Sequence, residues 1–310
     1  MSVTAGDIEA AADRIRGRVR ETPVIRIEPG ELCASPVILK LESLQHAGSF
    51  KPRGAFNTVL QAGDLSAGVI AASGGNHGIA VAHVARELGL AAEIFVPVIS
   101  SPVKVARLRR LGAVVHRAGD NYAEAFAAMR DRQAQTGALD VHAYDQPGTV
   151  AGQGTLAREL ERQCPDMQAA FFAVGGGGLI GGALAWMGGR QTIVAVEPTT
   201  SKALAAALDA GEPVDVEVSG IAADSLGARR IGRIGFGLAS RHRTPVVLVA
   251  DDAIRRAQRW LFEQLRIVVE PGGATALAGL MGGGVDLDPS HPVAVVVCGG
   301  NASLDDLTVS

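Results

Sequence analysis

Along the chain, short runs of apolar residues alternate with stretches whose apolar positions recur every three or four residues. The runs at 37–41, 69–72, 93–97, 113–116, 140–143, 170–174, 192–196, 246–249 and 293–298 have the length of strands, and they are near-continuously apolar rather than alternating. Between them, 79–88, 103–111, 122–135, 149–162 and 253–265 carry the period of helices. A strand buried on both faces needs cover on both faces. The pattern therefore predicts parallel sheets wrapped by helices, a doubly wound α/β architecture. No repeat and no Pro/Gly/Ser-rich linker divides the 310 residues, so two lobes would be interleaved rather than consecutive.

Composition narrows the classes of function. A formal net charge of −3 provides no basic field for nucleic acid. Cys33, Cys164 and Cys298 are odd in number and far apart, which suits neither a disulfide framework nor a zinc site and points to a reducing cytoplasm. Asp7, Glu9 and Asp13 stand where a signal peptide would be apolar. The segment 169–189 is uncharged and long enough to cross a bilayer, but eight of its 21 residues are glycine. Each glycine costs about 1 kcal/mol in a helix interior relative to alanine, so strand, glycine loop and helix is the better reading, and no membrane partner is expected.

Ligands of such sheets meet the carboxyl edge, where strands end and helices begin. The first informative junction is Ser49-Phe50-Lys51-Pro52-Arg53. Pro52 suits the first turn of a helix, which places the Lys51 amine at a positive helix end and near Arg53. Both should lower its proton affinity, as an imine-forming lysine requires, although an isolated lysine is more often a solvated surface group. The second junction is Ser73-Gly74-Gly75-Asn76-His77, where small residues and helix-start amides suit a carboxylate. A simple helix cap by Ser73 or Asn76 is the alternative, and His77 is either a base or an orienting group.

The third junction is Gly175-Gly176-Gly177-Gly178-Leu179. It makes a backbone cup for phosphate without the spacing of a dinucleotide or Walker loop, which favours a smaller phosphorylated ligand. The fourth is Cys298, at the end of an apolar run. It is either a small hydrophobe filling a gap or a neutral thiol facing a ligand on the sheet edge.

Together these residues resemble the pyridoxal-phosphate enzymes of fold type II, specifically the serine/threonine dehydratase branch, over about residues 22–304. The resemblance implies a fold like that of tryptophan synthase β. Residues 1–43 and 142–310 would form a large cofactor-binding domain, and 44–141 a small domain bearing the substrate loop. It implies Lys51 as the lysine bonded to the cofactor aldehyde and as the catalytic base, with Phe50 packing on the ring. Asn76 would meet the phenolic oxygen, and Gly175, Gly176, Gly177, Gly178 and Leu179 the phosphate. Cys298 would face the pyridine nitrogen. Ser73, Gly74, Gly75, Asn76 and His77 would bind substrate, and Glu270 matches a recurring site-lining acid.

The implied reaction is α,β-elimination of L-threonine or L-serine to a 2-oxo acid and ammonia, with the cofactor phosphate protonating the departing hydroxyl. A neutral thiol at the pyridine nitrogen has chemical consequences, because it backs a pyridinium less well than a carboxylate does and favours elimination over transamination.

Departures from the family pattern bear on the alternatives. Related racemases carry a serine where this chain has Gly74, which cannot transfer a proton. Some relatives hold a cation through a glutamate, a carbonyl four residues on and an aspartate six on. Here those positions are Glu197, Ser201 and Ala203. Glu197 is then the candidate metal ligand, and a monovalent ion on carbonyls fits better than a divalent one. The family's isoleucine-sensing C-terminal domain is not matched, and a homodimer is the family's habit. The competing functions are an amino-acid racemase, a 3-hydroxyaspartate-type dehydratase and a catalytically silent amino-acid-binding homologue.

Overall fold

Strands in this chain are written in β-branched and small apolar residues, and ten form among residues 2–302, which the computed structural model describes; Leu304 and the rest of the stretch to 310 lie outside the described residues. They are β1 (Val24–Ile27), β2 (Val37–Leu41), β3 (Val69–Ala72), β4 (Ala92–Val96), β5 (Val114–Arg117), β6 (Leu139–Asp140), β7 (Ala169–Ala173), β8 (Thr192–Pro198), β9 (Val246–Val249) and β10 (Val293–Val297). The larger sheet has the order β1-β2-β10-β7-β8-β9 and the smaller β5-β4-β3-β6. Every pairing is parallel except β1 with β2. The chain is thus α/β with two parallel sheets, and the smaller is inserted in sequence between β2 and β7. The central strands β2, β7 and β10 are buried at every position, as double helical cover demands.

Three expectations need correction. The run at 140–143 is not a strand of that length: β6 ends at Asp140, and the residues beyond leave the sheet and spend their polar groups on the site described below. β1 was absent from the predicted set, because a four-residue edge strand with only one fully buried position has too short an apolar signature. Helix Ala5–Arg14 was also missed, although Thr4 and Asp7 form a reciprocal capping box at its start.

A group of four charges, three of them buried, joins elements of the two sheets. The Arg53 guanidinium forks onto Glu42, with Nε–Oε2 at 2.8 Å and Nη2–Oε1 at 2.7 Å, and its Nη1 lies 3.0 Å from Glu159 Oε2. The other Glu159 oxygen takes the Lys40 amine, which also donates to the Thr22 carbonyl and to Gln163. Lys40, Glu42 and Arg53 are buried. These charges tie the end of β2, helix Lys51–Leu60 and helix Pro147–Gln163 to one another.

Removing one partner of a buried pair strands the other charge, so Arg53→Met should cost about 3–5 kcal/mol of unfolding free energy. The exposed Asp13–Arg16 pair is the control, and Arg16→Ala should cost under about 0.5 kcal/mol. Urea midpoints for the two variants measure the contrast, and equal shifts would contradict it.

Candidate active site

The carboxyl ends of β2, β3, β7 and β10 converge on one cleft. Its walls include Phe50, Lys51, Asn76, Tyr144, the glycine run, Leu226, Glu270 and Cys298, and it encloses about 470 Å³ counting its open mouth. The structure therefore brings residues from all four sequence junctions together. A separate cavity is lined by Arg20, Gly48, Arg86, Arg107 and Arg110; neither the lysine nor the glycine run lines it.

Lys51 opens a helix with Pro52 in its first turn and no side-chain cap, so its position is set by tertiary contacts. The Phe50 amide donates to the Cys298 carbonyl at 3.2 Å, and Ser49 bridges to Gly299. The Lys51 amine donates to the Ala143 carbonyl at 2.9 Å. Enclosure among protein atoms lowers its pKa to about 8, opposed by the nearby Cys298 and Glu270 groups. This origin differs from the one the sequence suggested. Arg53, whose charge Glu42 and Glu159 balance, is not among the causes.

The glycine run joins β7 to helix Gly178–Met187, which likewise begins without a side-chain cap. None of the amides of Gly176, Gly177, Gly178 and Leu179 donates to a protein acceptor among the described residues. These are free donors at a positive helix end, the physical makings of an anion cup. Glycine is required here for space and for conformation. A Cβ on Gly176 would lie 2.2 Å from the Tyr144 ring, and Gly177 has φ of +87°.

Cys298 is buried and its Sγ–H points at the Gly272 carbonyl, 3.3 Å away. Burial, with help from Glu270, pushes its pKa up to about 12, which keeps the thiol neutral. Asn76 donates to Glu270 Oε1 at 2.5 Å and accepts from Asn301 Nδ2 at 2.6 Å. An amide has two N–H groups, so one donor of Asn76 remains. Asn301 also donates to the Ala47 carbonyl and accepts from Arg107 at 2.6 Å. Burial raises the Glu270 carboxyl to about 7.

His77 is not placed as a base. Its Nε2 lies 2.6 Å from the Val141 carbonyl, and burial with the nearby Lys51 charge lowers its pKa to about 3, so it is a neutral donor bracing the segment after β6. Ser73 accepts the Gly75 amide at 3.2 Å, a local turn contact, and a Cβ on Gly74 would have only ordinary contacts. Glu197 corrects the metal expectation. Both its oxygens accept backbone amides, of Leu204 and Ala205, so it caps helix Ala203–Ala210. Among the described residues no cluster of three metal-ligating side chains forms.

Residues the sequence reading missed are Tyr144, the Ala143 carbonyl and Asn301's role. His142-Ala143-Tyr144-Asp145 precedes Pro147 at a helix start, so it is a fifth junction of the same kind, hidden because 140–143 read as strand throughout.

A parallel α/β chain whose lysine shares a cleft with a bare-amide phosphate cup has the anatomy of a vitamin B6 enzyme. Sequence comparison agrees: the family described as pyridoxal-phosphate dependent enzymes matches residues 15–299. The chain belongs to that family, in fold type II and its threonine/serine dehydratase group. It is 36% identical to an L-threonine ammonia-lyase of Geobacter sulfurreducens over 97% of this chain and 76% of the relative. It is 35% identical to a phenylserine dehydratase of Ralstonia pickettii over 97% of this chain and 94% of the relative. A solved serine racemase of maize superposes with a TM-score of 0.91 at 30% identity, covering 99% of this chain and 96% of that one. Among the described residues, no helix is long and apolar enough to cross a membrane.

Only the neutral amine attacks an aldehyde, and with a pKa lowered to about 8 the Lys51 amine is half neutral near pH 8 and depleted below it. The rate at which ligand-free protein condenses with pyridoxal 5′-phosphate, followed by absorbance, should rise with a midpoint near pH 8. A rate still climbing beyond about pH 10, near the ordinary lysine value, would contradict the desolvated amine.

Proposed function

We propose that this protein removes water from a β-hydroxy α-amino acid, L-threonine or L-serine, to release a 2-oxo acid and ammonia. The observation that carries this reading is the low-pKa amine of Lys51 sharing one cleft with the free amides of the glycine run and the neutral thiol of Cys298.

The residues present fit pyridoxal 5′-phosphate. Lys51 would hold the aldehyde carbon, the free amides from Gly176 to Leu179 the phosphate, Cys298 the pyridine nitrogen, and the spare N–H of Asn76 the phenolic oxygen. When bound, the cofactor supplies an electron-accepting ring that acidifies the α-proton of an amino acid. Ser73 and the amide of Gly74 would take the substrate carboxylate beside the start of helix Asn76–Leu88. The Lys51 amine, released from its bond to the aldehyde, is the base for the α-proton, and its lowered pKa suits it to that transfer near neutral pH. Cys298 cannot neutralise a protonated pyridine as a carboxylate would, so charge built at the α-carbon is relieved by losing the β-substituent.

Two neighbouring readings fit less well. The likeness to a serine racemase favours epimerisation, but that chemistry needs a second proton-transfer group on the opposite face. Gly74, at the position where related racemases carry a serine, has none. An anionic β-substituent, as in 3-hydroxyaspartate, would enter a cleft whose lining holds Glu270 and no cation besides Lys51. Threonine and phenylserine, the substrates in the names of two relatives, both have uncharged β-substituents.

Holoenzyme offered L-threonine, L-serine and 3-hydroxyaspartate should release 2-oxo acid and ammonia from the first two, and at least about ten-fold less from the third. Lys51→Ala should lose both that release and the cofactor's lysine-bound absorbance. If D-serine accumulates from L-serine faster than 2-oxo acid, the racemase reading replaces this one.

A further inference from the structure

We infer that Asn301 is a positioning residue: it locks the Asn76 amide in the orientation that turns an N–H, rather than the carbonyl, toward the ring oxygen of bound pyridoxal phosphate. The role belongs to cofactor binding, on the fit set out above, and is independent of which amino acid is turned over.

The two ends of an amide have nearly the same shape and opposite hydrogen-bonding character, so a lone asparagine can face a ligand either way round. Only a partner of fixed polarity decides the orientation. Asn76 lines the cleft, and each end of its amide meets another side chain. On one side stands Asn301, itself an amide, whose direction two unambiguous groups impose. Its Oδ1 takes an N–H of Arg107 at 2.6 Å, and a guanidinium can only donate. Its Nδ2 lies 2.8 Å from the Ala47 carbonyl, which can only accept. The 2.6 Å contact of that same Nδ2 with Asn76 then has one consistent assignment, in which Asn301 donates and Asn76 Oδ1 accepts. Asn76 Nδ2 is therefore at the other end, where one N–H goes to Glu270 Oε1 at 2.5 Å and the second is left for a ligand.

Glu270 could not impose this orientation by itself. Burial raises its carboxyl to about 7, and a carboxyl that holds its proton can donate to an amide carbonyl as well as accept from an amide N–H. Asn301 has no such freedom, and its backbone is pinned. The Gly300 amide donates to the Gly48 carbonyl at 2.9 Å, and Gly299 bridges to Ser49. Gly48 has φ of +74°, and a Cβ there would collide with the Asn301 side chain. The end of β10 is thus fastened to the loop that leads into Lys51. The group that orients Asn76 is fixed relative to the amine that would hold the cofactor's aldehyde carbon.

An N–H directed at the ring oxygen stabilises that oxygen as an anion, and hydrogen bonds to ionised groups are the stronger kind. A carbonyl in the same place repels the anion.

Asn301→Asp keeps the size of the side chain and its contact with Arg107, but it replaces the donor to Asn76 by a second acceptor. Asn76 must then turn its NH₂ group to position 301 and its carbonyl to the cleft. The test titrates ligand-free protein, by equilibrium dialysis, with pyridoxal 5′-phosphate and with 3-deoxypyridoxal 5′-phosphate, which lacks only the ring oxygen. Affinity for pyridoxal phosphate should fall about ten-fold or more in Asn301→Asp. Affinity for the deoxy compound should change by less than about three-fold, because the altered contact and the missing atom are then one and the same. Asn301→Ala removes the donor without adding a repelling group, so it should show the same selectivity with a smaller loss. The thermal midpoint of each ligand-free variant reports folding, and if Asn301→Asp does not fold, Asn301→Ala decides. Equal losses for the two compounds, or no loss for either, would overturn the assignment. If the unsubstituted protein binds neither compound, the fit to the cofactor fails and the assignment with it. A selective loss in a protein that releases no 2-oxo acid from any β-hydroxy amino acid keeps the assignment and removes the elimination reading alone.

Discussion

A guanidinium enclosed by two carboxylates cannot shift without exposing a bare charge to a medium that will not solvate it, and Arg53 is in that position two residues past the reactive amine. The first turn of its helix has no side-chain cap and would otherwise be free to fray. The fork from Arg53 to Glu42 fixes the turn against the end of β2. The contact to Glu159, shared with Lys40, fixes it against helix Pro147–Gln163. Hydrophobic packing is non-directional and tolerates small slides of a helix over a sheet. A bidentate charge contact does not, because its strength depends on both angle and distance. The reach of Lys51 to the Ala143 carbonyl follows from that anchoring, and so does its distance from the glycine run.

Around the amine the protein holds groups that are ionisable but carry little charge. Burial keeps the Cys298 thiol and the His77 ring neutral, and it brings the Glu270 carboxyl up to about 7. The formal charges are drawn back into the Arg53 cluster or outward to Arg107, which bonds Asn301 and acts on the Glu270 carboxyl through its charge. Electrostatic interactions are stronger in such a dry site than in water, so a ligand's own charges dominate its field. The chain of contacts from Arg107 through Asn301 and Asn76 to Glu270 also crosses between the helices flanking the smaller sheet and the end of β10. The polar side of the cleft is therefore assembled only when both lobes are in register.

Much of this was legible in the residues, and the exceptions have physical causes. Strands buried on both faces announced themselves, which made the α/β class and most of the larger sheet readable. The four-residue β1 did not, because four residues with one buried position are too few to show a pattern. The over-long strand at 140–143 has the opposite cause. Val141 still packs in the core beside the smaller sheet, its amide on the Ile70 carbonyl, but Ala143 is only half-buried and its carbonyl turns to Lys51, so apolar composition did not show where the strand ends. That error concealed Tyr144. Local reasoning about charge also failed at Arg53, since nearness in sequence implied that it would act on Lys51, whereas its charge is spent on carboxylates at positions 42 and 159. Glu197 shows the same limit: a carboxylate at a strand end reads equally well as a ligand or as a helix cap, and only the orientation of the next helix's amides decides.

The fold itself leaves the reaction open. A serine racemase superposes closely on this chain, while an L-threonine ammonia-lyase resembles it in sequence. A shared scaffold fixes where the cofactor's phosphate, ring and aldehyde would lie, but the outcome depends on which faces of the substrate meet a proton donor or acceptor. Here one face has the Lys51 amine. On the proposed reading the segment from Ser73 to Gly75 faces the substrate carboxylate, and position 74, where related racemases carry a serine, has no side chain. With proton transfer confined to the lysine's face, a carbanion formed at the α-carbon either regains the same configuration or loses its β-substituent. Only the second path consumes substrate, so on the proposed reading the missing side chain at position 74 favours elimination over epimerisation.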